Sequence, residues 1–315
     1  MSMPLRIFST LVGLLMILPV VCHAARADVE ANYLYRLSNF GGPVPCTWAH
    51  IAVDAARNEI YLIDEKEVLV FDENGMEIYR FGDDGSLGVI SDVAVDDTGN
   101  ILVLSRVGAT QSILRCDFRG QPVGQLNLTG LPPEYSGFSP KRMVFHNSLL
   151  YLADTSDLKL VVADGNGRFR SGFDVATLLE IEDDKRIANQ ISGFSVDTDG
   201  NILFTIPVLF SIHRLLPDGT IQSLVRPGSS PGKFNLVGGI VADDGGNIYV
   251  ADRLKSAVLI FDREFNFIRQ FGYRGSRPGN LIGPRDLALD ARGRLYVSQL
   301  QNRGVSVFKL TQSRP

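Results

Sequence analysis

The chain repeats one sequence pattern several times. Similar segments stand at residues 57–72, 98–117, 245–262 and 292–309, and the third of them reads GGNIYVADRLKSAVLIFD. Such repetition constrains the fold more than any single motif does, because each unit buries its apolar face against its neighbour. We therefore expect the 315 residues to form one repeat architecture, although the length alone would suggest about two domains.

The period of the repeat is read from a short apolar strand that ends in aspartate. Five units have this strand, and a degraded sixth unit has RMVFH, which ends in histidine. Successive strand ends are 42, 50, 51, 46 and 47 residues apart, at Asp54, Asp96, His146, Asp197, Asp243 and Asp290. This spacing is typical of the four-stranded blades of a β-propeller.

Each unit reads as four short strands. The first strand is followed by a turn such as DDGGN at 243–247, whose Gly and Asn residues suit a tight hairpin. Strands rich in Val, Ile, Leu and Phe follow, separated by further turns. The pattern predicts an all-β protein.

The last unit lacks a fourth strand, and a matching strand stands at the other end of the chain. Three strands follow Arg285, while Tyr33–Gly42 (YLYRLSNFGG) matches the fourth-strand segment Asn266–Gly275. Their combination would leave no blade half-built and would hold both ends of the ring. We predict a six-bladed β-propeller over residues 28–315, closed by the N-terminal strand.

The units resemble NHL repeats. The segments DLALDARGRLYVSQLQNRGVSVFK and GIVADDGGNIYVADRLKSAVLIFD follow the family pattern almost position for position, and the resemblance extends over about residues 33–310. It implies a six-bladed propeller of four-stranded NHL-type blades. It implies little about function, because propellers of this kind have many unrelated activities.

Residues 1–27 are predicted to be a cleaved export signal. Arg6 precedes the apolar segment Ile7–Val21, which is short for a membrane span, and Ala25–Ala27 is typical of a cleavage site. Cleavage after Ala24, lipid attachment at Cys22 and an uncleaved anchor are the alternatives. No later segment is apolar for long enough to cross a bilayer. We expect the mature protein to be periplasmic or extracellular.

Charge and cysteine content narrow the chemistry of the mature chain. The formal net charge is −4, or −6 without the arginines of the signal, and this acidic balance argues against nucleic acid as a partner. Export permits a disulfide between Cys46 and Cys116. Cys116 takes the place of Phe71 and Phe261 in aligned units, which favours a buried thiol instead. Both alternatives stay open.

Two insertions depart from the regular unit. Residues 127–140 form a long link, and residues 174–190 contain Val175, Leu178 and Leu179 at helical spacing after Asp174, a suitable N-cap. Both insertions join an outer strand to the next inner strand, so we expect them on the face where the channel opens. Insertions on one face often mark a binding surface, although neutral insertion is equally compatible with the sequence.

Few residues have the spacing of a metal or catalytic site. DTDGN at 197–201 resembles the start of a calcium loop, but it lacks the later glutamate and coincides with the hairpin turn of the other units. His50, His146 and His213 occupy different register positions, so zinc is not predicted. We assign no catalytic residue and no metal ligand.

Candidate binding residues surround the predicted channel mouth. Asp92 and Asp286 are carboxylates beside Lys141 and Arg285, and the wider set is Trp48, His50, Asp92, Lys141, Arg285 and Asp286. Lactonase propellers, which this ring resembles in outline, hold a cation in the channel. The two aspartates could bind a divalent ion in the same way, or they could cap the turns that enter the inner strands.

The predicted function is therefore binding without catalysis. We expect an exported binding or scaffold propeller that holds a protein or polymer partner at the channel face, without a resident cofactor, and with Tyr135 and Phe138 among its contacts. The alternative is a metal-dependent hydrolase or lyase, similar to a lactonase, with one divalent cation in the channel. Aspartates that converge with further oxygen ligands would favour the enzyme, and aspartates bound to backbone amides would favour the binding protein.

Overall fold

The computed structural model describes residues 28–47, 49–64 and 66–313. These residues form six four-stranded antiparallel sheets, which are the six blades of a propeller, together with one small hairpin. The prediction of an all-β six-bladed propeller is confirmed. The predicted signal at residues 1–27 and the candidate Trp48 lie outside the described residues.

The blades follow the order of the chain, except that the first strand, β1 (Asp28–Arg36), belongs to the last blade. The small hairpin consists of β2 (Ser38–Asn39) and β3 (Gly42–Pro43). Blade one contains β4 (His50–Asp54), β5 (Glu59–Asp64), β6 (Glu67–Phe71) and β7 (Glu77–Phe81). Blade two contains β8 (Val89–Val95), β9 (Ile101–Val107), β10 (Thr110–Cys116) and β11 (Pro122–Leu126). Blade three contains β12 (Arg142–His146), β13 (Leu149–Asp154), β14 (Lys159–Asp164) and β15 (Phe169–Asp174).

The second half of the ring has the same plan. Blade four contains β16 (Phe194–Val196), β17 (Ile202–Ile206), β18 (Ser211–Leu215) and β19 (Ile221–Val225). Blade five contains β20 (Val237–Ala242), β21 (Ile248–Asp252), β22 (Ala257–Phe261) and β23 (Phe267–Phe271). Blade six contains β24 (Leu287–Leu289), β25 (Arg294–Ser298), β26 (Val305–Ser313) and β1. The described helices are short: α1 (Val175–Leu178) and three 3-10 turns, Pro133–Tyr135, Asp183–Lys185 and Pro207–Leu209. None of them is long and apolar enough to cross a membrane.

The hydrophobic core lies between the blades, because each blade is buried on both of its faces. Successive residues of a strand point to opposite faces. In β5, Ile60 and Leu62 therefore pack toward blade six, whereas Tyr61 and Ile63 pack toward blade two. The middle strands are accordingly almost continuous apolar runs, which is the pattern that the repeat shows in the sequence.

The aspartate that ends the inner strand stabilises the hairpin turn after it. In DTDGN, the Oδ1 atom of Asp197 accepts hydrogen bonds from the backbone N–H groups of Asp199 and Asn201 at 3.0 and 2.9 Å. The interpretation of this segment as a turn is confirmed. Blade three has His146 in place of this aspartate. Its turn is a two-residue hairpin instead, in which Asn147 and Ser148 both adopt positive φ.

Both insertions pack against the blades as well as bordering the channel face. Asp174 caps α1 as predicted, with its Oδ1 atom 3.0 Å from the N–H of Thr177. In the first insertion, the ring of Tyr135 is buried, and Phe138 packs against it at 6.3 Å. The prediction that Tyr135 is a partner contact is wrong, because its side chain fills the core between blades two and three. Phe138 is partly buried against the same core.

Cys46 and Cys116 are free buried thiols that belong to different core clusters. Burial raises their pKa values to about 12 and about 11. The structure therefore supports the buried thiol over the disulfide.

The N-terminal strand closes the ring, as the repeat count predicted. β1 pairs with β26 from Asp28 opposite Ser313 to Arg36 opposite Ser306, so it begins nearer the N-terminus than the sequence match at Tyr33–Gly42 indicated. Val29 is fully buried in the pairing. Without β1, the edge of β26 would be unpaired, and unpaired edges of this kind favour aggregation.

We predict that a chain beginning at residue 37 loses the cooperative unfolding transition that a chain beginning at residue 28 retains. The shorter chain lacks β1 and exposes both the β26 edge and the core around Val29. Urea denaturation followed by circular dichroism would measure the difference. Equal midpoints for the two chains would show that β1 does not close the ring.

His213 is a core histidine, and its environment makes folding dependent on pH. Its ring stacks on Phe204 with centroids 4.8 Å apart, and its two nitrogens lie 2.7 and 2.8 Å from the hydroxyls of Ser211 and Ser223. Burial lowers its pKa to about 4 from an ordinary value of 6.5. The unfolded chain therefore binds more protons than the folded chain between these two values, so stability is complete above about pH 6.5 and falls toward pH 4.

We predict that His213→Gln flattens this part of the pH profile. Up to about 3 kcal/mol of pH-dependent stability should disappear from the interval between pH 6.5 and 4, because glutamine does not titrate. Urea unfolding of both proteins at several pH values would test this. Between pH 7 and 8 the difference in stability should stay constant, and a variant slope equal to the wild-type slope at acid pH would contradict the assignment.

Candidate binding site at the channel face

One register position of the repeat faces the centre of the ring. It stands four residues before the end of the repeated inner strand and is occupied, from blade one to blade six, by His50, Asp92, Arg142, Gly193, Gly239 and Asp286. Blades three and six stand opposite each other in a ring of six. Any contact between their residues at this position therefore crosses the channel.

Arg142 makes that contact. Its Nε atom lies 2.9 Å from Oδ2 of Asp92 in blade two, and its Nη2 atom lies 3.3 Å from Oδ2 of Asp286 in blade six. His50 of blade one completes the group, with Nδ1 3.0 Å from the same oxygen of Asp286. We call these four residues the Arg142 cluster. It joins four blades through charged hydrogen bonds, which are stronger than neutral ones.

Backbone amides also bind both carboxylates. The N–H of Met143, in blade three, donates to Oδ2 of Asp92 at 2.9 Å, and the N–H of Ile51, in blade one, donates to Oδ2 of Asp286 at 3.2 Å. Each aspartate therefore binds the inner strand of the next blade in the ring. This is the arrangement that favours a structural and binding role for the two side chains over a metal-binding role.

The charge of Arg142 dominates the ionisation of the cluster. Burial alone would raise the pKa of Asp286, but Arg142, His50 and the N–H of Ile51 together hold it well below its usual range. Burial likewise opposes the charge of Arg142, yet Asp286 and Asp92 raise its pKa above the ordinary value. Arg142 and Asp286 are therefore both charged at neutral pH.

Glycine occupies this register position in blades four and five because the inner strands come close together there. A Cβ atom at Gly193 would lie 2.3 Å from the carbonyl oxygen of Gly238, and one at Gly239 would lie 2.5 Å from the backbone nitrogen of Leu287. Neither position has room for a side chain. The charged network is consequently confined to the other four blades.

Two cavities meet at Arg142, which is the residue common to both linings. The upper cavity has a volume of about 830 Å³ and opens on the channel face, the face that bears the two insertions. Ser139 of the first insertion and Ile187 of the second both line it. The lower cavity, about 270 Å³, lies among inner-strand residues, most of which are of apolar type, such as Val53, Val95 and Leu289.

The upper cavity is basic. Its charged lining consists of Arg106, Lys141, Arg142 and Arg285, with His50 beside them, and no carboxylate is among the described residues that line it. Burial lowers the pKa of Arg285 to about 10, and the nearby charges of Arg253 and Arg142 act in the same direction. The guanidinium stays charged at neutral pH.

The sequence-predicted candidates divide into two groups. His50, Lys141 and Arg285 line the upper cavity, near the mouth where they were expected. Asp92 and Asp286 do not line the upper cavity; they are buried in the Arg142 cluster, with 2% and 3% of their surface exposed. Trp48 lies outside the described residues.

Arg142 is the residue that sequence reasoning missed. It is the first residue of RMVFH in the degraded unit, and the candidate chosen in this unit was its neighbour Lys141. The signal was an arginine in the same column as Asp92 and Asp286. A basic residue between two acidic ones at one register position indicates an ion pair across the ring.

The residues of the cluster do not fit a divalent cation. Asp92 and Asp286 do converge, but the group on which they converge is a guanidinium. Within residues 28–47, 49–64 and 66–313, no three His, Cys, Asp or Glu side chains are grouped so that they could hold a metal ion. A metal at this point would have to displace Arg142 and compete with the backbone amides.

No protein-family model and no curated protein matches the chain. Solved structures that resemble it include virginiamycin B lyase from Staphylococcus aureus, at 13% identity over 87% of this chain and 86% of that one, with a TM-score of 0.58. A gluconolactonase from Xanthomonas campestris matches at 14% over 90% of each chain, with a TM-score of 0.56. An auxiliary nutrient binding protein from Bacteroides ovatus matches at 12% over 92% and 78%, with a TM-score of 0.62. At these identities the likeness shows the propeller fold alone.

We predict that Arg142→Met destabilises the protein by about 3–5 kcal/mol, because two buried carboxylates lose their counter-charge. The triple variant Arg142→Met, Asp92→Asn, Asp286→Asn should recover a large part of that loss. Urea unfolding would measure both.

Arg170→Met is the matched control for this substitution. Arg170 forms an exposed ion pair with Asp164, so its loss should change stability by at most about 1 kcal/mol. If Arg142→Met proved no more destabilising than Arg170→Met, the cluster would not stabilise the ring.

Proposed function

We propose that this protein is an exported, non-catalytic binding propeller that holds a protein or polymer partner at the channel face. A part of the partner enters the upper cavity, and the rest covers the surrounding loops. We interpret the blades as NHL-type repeats on the sequence pattern described above, and we place the mature protein in the periplasm or outside the cell on the predicted signal at residues 1–27.

The state of the two buried carboxylates carries this proposal. Asp92 and Asp286 are the acidic residues at the centre of the ring, and both are hydrogen-bonded to Arg142 and to backbone amides. A carboxylate whose oxygen already accepts these hydrogen bonds is held in place, so it is poorly suited to take up a proton as a general base or to bind a cation. What remains at the channel face is a cavity lined with hydrogen-bonding and cationic side chains.

The shape and rim of the upper cavity support binding. Its volume of about 830 Å³ falls within the range of about 300–1,000 Å³ that is usual for ligand sites. Three apolar side chains of its lining, Val89, Ile187 and Val208, are 43%, 77% and 57% exposed. Exposed apolar groups around a concave site are typical of surfaces that bind a partner.

The alternative is a metal-dependent hydrolase or lyase with its site in the channel. In its favour, two similar propellers are described as a virginiamycin B lyase and a gluconolactonase. A third is described as a nutrient binding protein, so the same fold also accompanies binding. The arginine at the centre of this ring favours the binding protein.

We predict that a photo-crosslinking amino acid at position 187 captures a partner in the cell that produces the protein. Ile187 lies on the rim of the upper cavity, so a bound partner should contact it. The control is the same group at position 78, which is exposed on the outer strand β7, away from the channel face. Crosslinked species would be identified by mass spectrometry.

Activity assays distinguish the binding protein from the metal-dependent enzyme. We expect no hydrolysis of lactones or esters above background with added calcium, magnesium or zinc. Turnover that depends on an added metal and disappears in Asp286→Asn would contradict the proposal in favour of the enzyme. Equal capture at positions 187 and 78 would show that the channel face is not the binding surface.

A further inference from the structure

We propose that the group received by the upper cavity is an amphipathic organic anion, a carboxylate or phosphate carried on an apolar body. This inference rests on the proposed function in one respect, namely that the ligand enters the upper cavity. It adds the sign of the ligand's charge and the polarity of the atoms next to that charge.

The balance of charge at the channel face is opposite to that of the whole protein. The chain has a formal net charge of −4, yet the charged groups of the described cavity lining are all basic. Asp92 and Asp286 are ion-paired with Arg142, outside the lining of the cavity. Lys141 and Arg106 are exposed, and neither forms an ion pair with a described residue. A cationic concave site concentrates anions at its mouth.

Arg285 is the side chain best placed to hold the anion. It is half-buried in the cavity wall, and its depressed pKa reports that burial and the charges of Arg253 and Arg142 disfavour its own charge. An anion bound beside it would restore the pKa toward its ordinary value. The guanidinium fork also matches carboxylate and phosphate oxygens in pairs.

Arg142 gives a second, independent reason to expect an anion in the upper cavity. Its side chain is 8% exposed, and its Nη1 atom has no hydrogen-bond partner among the described residues, although Nε and Nη2 are both bound. A buried guanidinium with an unused donor retains attraction for negative charge. Arg142 lies in the floor of the cavity, so its charge adds to that of Arg285 there.

Apolar side chains in the cavity wall indicate that the rest of the ligand is apolar. Ile63, Ile90 and Ile191 are buried lining residues, and Val89, Ile187 and Val208 expose apolar surface at the rim. A small hydrated anion would leave this surface in contact with water. An anion on an apolar body would cover it, at a gain of about 25 cal/mol for each Å² buried.

Four probes of equal chain length test the proposal by isothermal titration calorimetry on the mature chain. We expect octanoate and octyl phosphate to bind, and octanol and octylammonium to bind at least tenfold more weakly. The comparison of octanoate with octyl phosphate distinguishes the two anionic groups. Binding of the anions should also weaken as salt is added.

Matched variants locate the binding. Arg285→Gln and Lys141→Gln should each weaken octanoate binding about fivefold or more, whereas Arg170→Gln, on an exposed outer strand, should leave it unchanged. Lys141 is exposed, so its substitution tests the charge without risk to the fold. In Ile187→Ser, the gain in affinity from butyrate to octanoate should shrink.

Two results would overturn the inference: octanol that binds as tightly as octanoate, or Arg285→Gln and Lys141→Gln variants that behave like Arg170→Gln. If a partner were still captured at position 187 in that case, the proposed function would stand and only the ligand class would be wrong. If neither anions nor a partner were bound, both proposals would fail together.

Discussion

The pairing of β1 with β26 is the constraint on which the rest of the molecule depends. A blade is buried on both faces only if it has a neighbour on each side, and that condition holds for all six blades only in a closed ring. The antiparallel pairing from Asp28 opposite Ser313 to Arg36 opposite Ser306 closes it. The contact from Arg142 across to Asp286 likewise exists only because closure sets blade six opposite blade three.

Within this ring, one register position determines what the centre can do. Repetition would lead one to expect six equivalent residues there, but the chain has four charged or polar side chains and two glycines. The glycines let the inner strands of blades four to six approach each other, while the other blades form the Arg142 cluster. The centre is therefore asymmetric, and the arginine, by occupying both aspartates, favours a binding site above it over a metal site within it.

The sequence predicted those features that depend on local pattern. The apolar strands, turns such as DTDGN and the cap at Asp174 follow rules that involve neighbouring residues, and all three were found where expected. Arg142 was missed because its meaning depends on Asp92 and Asp286, which are 50 and 144 residues away. Tyr135 was misjudged for a similar reason: an aromatic residue in a long link reads as exposed, and only the fold shows that it fills the space over Gly172. The roles of the candidate binding residues stay predictions.

The position of Arg142 between the two cavities has a consequence for the order of events at the channel face. Among the described residues, Arg142 lies between the upper cavity and the lower one, so a small ligand bound in the upper cavity would exchange through the channel face. A partner that covers this face would then hinder the exit of the ligand. Association would then be ordered, with the small ligand first and the partner second, and the lifetime of the ligand would be set by the departure of the partner.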